Sequence, residues 1–249
     1  MTTMLLGIDD TDVLGHQPGT GRLARELGAQ LEEYGFARLV GVVRLQLLVD
    51  PRIPYTSHNS PACLVLEPSN GGMDALLDAA AAYVTARAAD GSDPGVCLAA
   101  QDAVGTAVRH FGARASSEVL VQADALDLAR REGIALMPLG GTGDGVIGAL
   151  AAVGLTADGN AGRFLEYRGG LRAFGPRVSA RALRQRGITP VSVSRNGEMV
   201  PLDADIETGD WVRPRLLGGR PVLLVEPTPE GWRCFDRKSR SGESQDEGA

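Results

Sequence analysis

Lysine is almost missing from this 249-residue chain: Lys238 is the only one, against 24 arginines. A Walker-type phosphate loop needs a lysine beside its glycines and a protein kinase needs one on its third strand, so both machines are excluded. Any phosphate bound here must be held by arginine, backbone N–H groups, helix termini or a metal ion. Aromatic residues are also scarce, at 4%, which argues against stacking platforms for single-stranded nucleic acid and leaves the core to Ala, Leu and Val. The three cysteines, Cys63, Cys97 and Cys234, and the three histidines, His16, His58 and His110, are scattered. No Cys/His spacing supports structural zinc, and Cys63 and Cys97 lie in apolar runs as expected of buried thiols. No apolar run approaches the roughly 20 residues of a membrane span, and the N-terminus lacks a basic stretch followed by an apolar core. The cytoplasm is the expected location, without membrane contact.

What is abundant is turn-forming residues, with 33 Gly and 14 Pro, and acid placed unevenly. Residues 1–162 carry 10 Arg against 19 Asp and Glu, a net of −9, whereas residues 163–240 carry 15 Lys and Arg against 9 acids, a net of +6. The basic segment either meets phosphates or nucleic acid, or is a solvated face.

The chemistry concentrates in Gly7-Ile8-Asp9-Asp10-Thr11-Asp12. Met4 to Ile8 reads as a buried strand, which puts three carboxylates at its carboxyl end, where open α/β sheets place ligands. Three acids within four residues repel one another unless a cation sits among them, and hard oxygen ligands suit Mg²⁺ shared with substrate phosphates. Strand alternation places Asp10 and Asp12 on one face as metal ligands and Asp9 on the other as an orienting acid. The bland alternative is a solvated acidic turn. After a Gly/Pro loop at 14–21, Leu23, Leu27 and Leu31 mark one face of a helix. Thr20 either caps that helix or lies beside a phosphate at its N-terminus, together with Thr11 and Gly21. Arg22 is a candidate cation in place of the missing lysine, or a solvated helix residue.

Strands are expected at 39–49, 62–67 and 96–99, and an Ala-rich helix at 73–87. This is the β-α-β-β-α-β order of ferredoxin-like folds over residues 1–100. A second α/β lobe, 101–168, reads as helix 101–111, strand 117–121, helix 124–132, strand 134–137 and helix 146–155, the last with Val146, Ala149, Leu150 and Val153 inward. The glycines preceding it, with Gly143, Asp144 and Gly145, form either an anion cradle on a helix N-terminus or a tight turn. Residues 169–238 read as a small β-rich segment with hairpins near Asn196-Gly197 and Gly218-Gly219, strands in 191–193, 211–215 and 221–225, and one short helix within 177–186. Residues 239–249 read as a disordered tail. The expected class is α/β (α+β). The loop His58-Asn59-Ser60 either binds a small polar substrate or is a hydrogen-bonded surface turn.

Taken together, Gly7 to Asp12, the loop at 15–21, Ile53-Pro54-Tyr55 and Gly145-Val146-Ile147-Gly148-Ala149-Leu150-Ala151-Ala152 resemble the archaeal tRNA-isoleucine agmatinylcytidine synthetases over roughly residues 5–168. The resemblance implies a kinase-like catalytic domain coupled to a ferredoxin-like domain. It implies ATP and Mg²⁺ as cofactors, ATP split to AMP and pyrophosphate, and phosphorylation of a cytidine oxygen that an amine then displaces. Asp9, Asp10 and Asp12 take the implied metal-binding and catalytic roles, Thr20 falls near a threonine beside the ATP phosphates, and Gly143, Gly145 and Gly148 match the second motif. After the Ile-Pro-aromatic motif the synthetases carry Lys, Thr, Arg, Gly and Asn, where this chain has Thr56, Ser57, His58, Asn59 and Ser60. The chain also lacks the CxxC of their zinc ribbon, and its C-terminal segment does not read as their OB-fold. The expected partners are a nucleotide, an acceptor that the resemblance makes RNA, and an amine, with self-association left open. Two other functions are kept: a nucleotide-binding regulatory module without turnover, and a nucleic-acid-binding protein using the basic segment.

Overall fold

In a computed structural model, which describes residues 2–15, 18–53, 58–69, 72–194 and 197–235, the apolar run ahead of the acids forms β1 (Met4–Asp9) and the spaced leucines form α1 (Thr20–Glu33). There follow β2 (Ala37–Arg44), β3 (Ala62–Pro68), α2 (Gly72–Arg87), β4 (Gly95–Ala100), α3 (Thr106–Ala115), α4 (Gln122–Glu132), β5 (Ala135–Pro138), α5 (Gly145–Asp158) and β6 (Arg163–Tyr167). The remainder gives β7 (Arg177–Ser179), α6 (Ala180–Gln185), β8 (Thr189–Ser192), β9 (Asp205–Glu207), β10 (Arg215–Leu217), β11 (Arg220–Thr228) and β12 (Gly231–Cys234). The fold is α+β. Pro54 to Ser57, Asn196, Lys238 and the tail from Ser239 lie outside the described residues.

The chain divides into two units, Met1–Leu171 with Arg215–Pro221, and Arg172–Pro214 with Val222–Ala249. In the first, the strand order is β5-β4-β1-β3-β2-β6-β10, and every neighbouring pair is antiparallel. Each βαβ crossover is therefore split by a third strand. Met4, Leu6 and Ile8 of β1 face a core built with Leu23, Leu27 and Leu31 of α1 and Leu76, Ala80 and Val84 of α2. The alternate residues Leu5 and Gly7 face the other side, against α5. β1 is thus buried on both faces because helices cover both, and its unbroken apolar run does not signify a parallel sheet. At Gly7 an added Cβ would lie 2.1 Å from the carbonyl oxygen of Ala149, so only glycine lets α5 come this close.

The sequence places Val146, Ala149, Leu150 and Val153 inward on α5, and all four are fully buried. Ala151, Ala152 and Leu155 are buried too, because α3 packs over the side of α5 away from the sheet. The strand expected at 117–121 does not form. Ser117 and Glu118 instead donate their N–H groups to Arg114 O, and of the apolar triplet only Leu120 is buried while Val119 and Val121 are exposed. β2 ends at Arg44, earlier than expected, although Leu45 and Leu47 still donate to Pro61 O and Asn59 O. No helix among the described residues is long and apolar enough to cross a membrane.

In the second unit β11 pairs antiparallel with β12, β12 parallel with β9, β9 antiparallel with β7, and β8 parallel with β11. Residues 177–186, expected to be one helix, divide into β7 and α6, because Ser179 caps α6 by accepting from the N–H of Ala182 at 3.2 Å. Residues 211–214 form no strand; Trp211 lies there between the guanidinium groups of Arg172 and Arg213, at 4.3 and 4.6 Å.

Candidate active site

Asp9 closes β1 on the face that meets α5. A Cβ on Gly148 would sit 1.7 Å from Asp9 Oδ2, so the carboxylate occupies the space that glycine leaves open. Two motifs far apart in sequence meet at that point. Burial pushes the Asp9 carboxyl up to about 8, the charges of Asp10 and then Asp12 add to the shift, and the Asp10 N–H opposes it.

Strand alternation stops at Asp10, whose φ of 54° is left-handed, so the expected shared face of Asp10 and Asp12 does not follow from a strand. Asp10 is pushed up to about 6, first by burial and then by Asp93, Asp12 and Asp144, against a hydrogen bond from the Asp93 N–H. Asp12 turns toward the start of α1, where a Cβ on Gly19 would lie 2.8 Å from its Oδ2. Gly19 is the N-cap and supplies no side chain, so a carboxylate there meets the positive end of the helix dipole.

The glycine loop before α5 is folded around Asp93. The Thr142 N–H donates to Asp93 Oδ1 and the Gly145 N–H to Asp93 O at 3.1 Å, while Gly141 and Gly143 take left-handed backbone. Gly143 N–H donates to Gly140 O at 3.1 Å. The N–H groups of Thr142, Gly143 and Gly145 are thus engaged within the protein, and the loop presents the carboxylate of Asp144, which makes no capping bond to α5.

Thr11 and Thr20 lie behind the acids, both buried, with Thr11 Oγ1 donating to Thr20 Oγ1 at 3.0 Å. Gly21 packs its Cα toward Leu165. Arg22 is exposed and paired along its own helix with Glu26 at 2.8 Å. Asn59 Nδ2 donates to Leu48 O at 2.8 Å and Ser60 Oγ to Gln46 Oε1 at 3.2 Å. Ser60 Oγ also accepts from Arg44 Nη2 at 3.2 Å, and Arg44 feels the Asp12 charge, which links this loop to the acidic motif. His58 is exposed.

Asp9, Asp10, Asp12 and Asp144 are therefore brought together, and Asp93 and Arg44 join them without having been foreseen. Asp93 sits in an Asp-Pro-Gly sequence that reads as a turn, and Arg44 ends an apolar strand in which a charge was the available signal. Among the described residues no three metal-ligating side chains converge closely enough to hold an ion alone. A Mg²⁺ ion bound there would have to take most of its ligands from water and substrate phosphates, as it commonly does. Burial is the first cause of both raised carboxyls and the neighbouring acids add to it; a nearby cation would relieve only that second part.

A split antiparallel sheet with helices on both faces of β1 is the class of fold defined here, and solved structures share that fold. TiaS bound to tRNA and ATP is 28% identical, with a TM-score of 0.54 over 62% of this chain and 36% of that one. TiaS without ligands, a tRNA agmatidine synthetase, is 26% identical with a TM-score of 0.51 over 61% of this chain and 35% of that one. A complex of TiaS with tRNA, AMPCPP and agmatine is 20% identical with a TM-score of 0.55, over 97% of this chain and 55% of that one. The fold is TiaS-like, and the chain spans between about a third and about half the length of these proteins. No protein-family model and no curated protein sequence matches the chain.

Proposed function

We propose that this chain is a Mg²⁺- and ATP-dependent enzyme of the TiaS type, which activates a substrate oxygen by phosphoryl transfer for attack by an amine, with RNA as the acceptor. The observation that carries the reading is Asp10, held in left-handed backbone among Asp93, Asp12 and Asp144 with its carboxyl raised to about 6. Burial raises this carboxyl first and the three neighbouring acids add to it, and a cation among them would relieve that second part, which supports the reading. The solved TiaS chains of 28% and 26% identity, one captured with tRNA and ATP and the other described as a tRNA agmatidine synthetase, support the choice of nucleotide, acceptor and amine.

Bound Mg²⁺ and ATP would supply the phosphoryl group and the positive charge that such a transfer needs. Asp10 and Asp12 would hold the ion across the phosphates. Asp9 orients the attacking group or takes its proton, fixed in place by Gly148. Burial favours the protonated form of its carboxyl in the metal-free protein, and positive charge nearby favours the ionised form. The N-terminus of α1 at Thr20 and Gly21 supports the phosphate chain, while the loop at Gly143 to Gly145 acts through Asp144 and Asp93. His58, Asn59 and Ser60 border the acceptor side.

The test is calorimetric titration with ATP in the presence and absence of Mg²⁺, with ion-exchange analysis of the products. Mg²⁺-dependent binding with slow formation of AMP or ADP is expected, lost in Asp10→Asn. Binding without product would favour a nucleotide-binding module, and no binding under either condition would refute both readings.

A further inference from the structure

One register row of the first unit runs from the last apolar residue before the acidic motif into a line of arginines. Ile8 pairs with Ala62, Ala62 with Arg44, Arg44 with Arg163, and Arg163 with Arg215. Residues directly opposite in antiparallel strands project their side chains to one face, with Cα atoms about 4.5–5.5 Å apart. Ile8 and Ala62 are buried in the core with α1 and α2, and the same row then continues as three cations across β2, β6 and β10. Arg44 is half-buried, whereas Arg163 and Arg215 are exposed.

Like charges directly opposite one another destabilise a sheet. Here Arg163 adds to burial in holding the Arg44 guanidinium below its ordinary pKa, and the carboxylate that acts on Arg44 is that of Asp12. Among the described residues neither Arg163 nor Arg215 makes an ion pair, although arginines elsewhere in the chain pair with Glu26, Glu67, Asp50 and Glu118. Planar guanidinium forks at this spacing match a tetrahedral oxyanion carrying more than one charge, since two neighbours can each donate two hydrogen bonds to it.

We propose that Arg44, Arg163 and Arg215 form a binding site for the phosphate group of a phosphate ester. The ester is either a free nucleotide or the backbone of a polynucleotide. The site requires no metal, and it stands whether or not the acidic cleft turns over ATP.

The full chain in EDTA would be titrated calorimetrically with pyrophosphate, ATP and a short single-stranded RNA, beside the double variant Arg163→Gln/Arg215→Gln. The wild type is expected to bind pyrophosphate and the variant roughly tenfold or more weakly. The variant's Tm should rise, because removing two of three adjacent cations relieves their repulsion. With pyrophosphate binding weakened, a matching loss for ATP assigns the site to nucleotides; a matching loss for RNA but not ATP, with a shallower salt dependence, assigns it to a polynucleotide backbone. Either pattern supports the proposal. Equal binding of all three probes by the two proteins, absence of pyrophosphate binding by the wild type, or a lower Tm in the variant overturns it.

Discussion

Replacing Asp9 by Asn is expected to make the metal-free protein more stable while abolishing the ATP turnover proposed for it. The Asp9 carboxyl lies against Gly148 and is pushed up to about 8, from 3.8, chiefly by burial. Between those two values the folded chain retains a proton that the unfolded chain has released. Stability therefore falls as pH rises through this window. Each unit is worth about 1.4 kcal/mol, so the full shift of about four units would amount to about 6 kcal/mol in a rigid site. Relaxation and water entry at the end of a strand reduce this to about 2–3 kcal/mol. Asn has the same shape and no charge to desolvate, so it avoids the penalty. In thermal melts with EDTA at about pH 8 the variant should unfold roughly 5–10 °C above the wild type, and the gap should close toward pH 4. Asp10, raised to about 6, contributes in both proteins and cancels to first order. A gap that does not vary with pH, or a variant that melts below the wild type at pH 8, would refute the reasoning.

Gly148→Ala forces a methyl group onto Asp9 Oδ2 and should cost about 1–3 kcal/mol by denaturant unfolding together with loss of ATP turnover; an active, equally stable variant rules out the contact. Asp93→Asn removes the largest charge acting on Asp10, so the Asp10 pKa should fall below about 6 in a carboxyl NMR titration, and an unchanged value would disprove the proximity. Thr20→Val leaves the buried Thr11 hydroxyl without its acceptor and should destabilise by about 1–3 kcal/mol, read from the urea midpoint, with a neutral result counting against that bond.

The first hundred residues were legible because their signals were long and consistent. An unbroken apolar run made β1, leucines four apart made α1, and the alternation of elements gave the split order that the sheet adopts as β4-β1-β3-β2. Short patterns were less reliable. Val119 to Val121 form too short an apolar run to distinguish a strand from the irregular link between α3 and α4, and β7 with α6 share a stretch that periodicity alone merges. The acidic motif was visible as composition, but its geometry was not. No residue type announces that Asp10 would take left-handed backbone, and Asp93 enters through a chain reversal rather than a pattern. Gly148 was recognisable as part of a motif, whereas the space it leaves for Asp9 depends on how closely α5 approaches β1. The arginine row was hidden for a different reason: its members lie in three distant stretches, and only the register places them side by side.

That register also acts as a ruler. Strands in a sheet lie about 4.8 Å apart, so two spacings, about 10 Å, separate Ile8 from Arg44, and four, about 19 Å, separate it from Arg215. The backbone ladder sets these intervals, and side-chain repacking cannot stretch them. A lone phosphate can occupy one end of the scale but not both. A ligand that reached from the end of β1 to the outermost arginine would have to be an extended one, so under the proposal the sheet would select it by length before any base or amine is read.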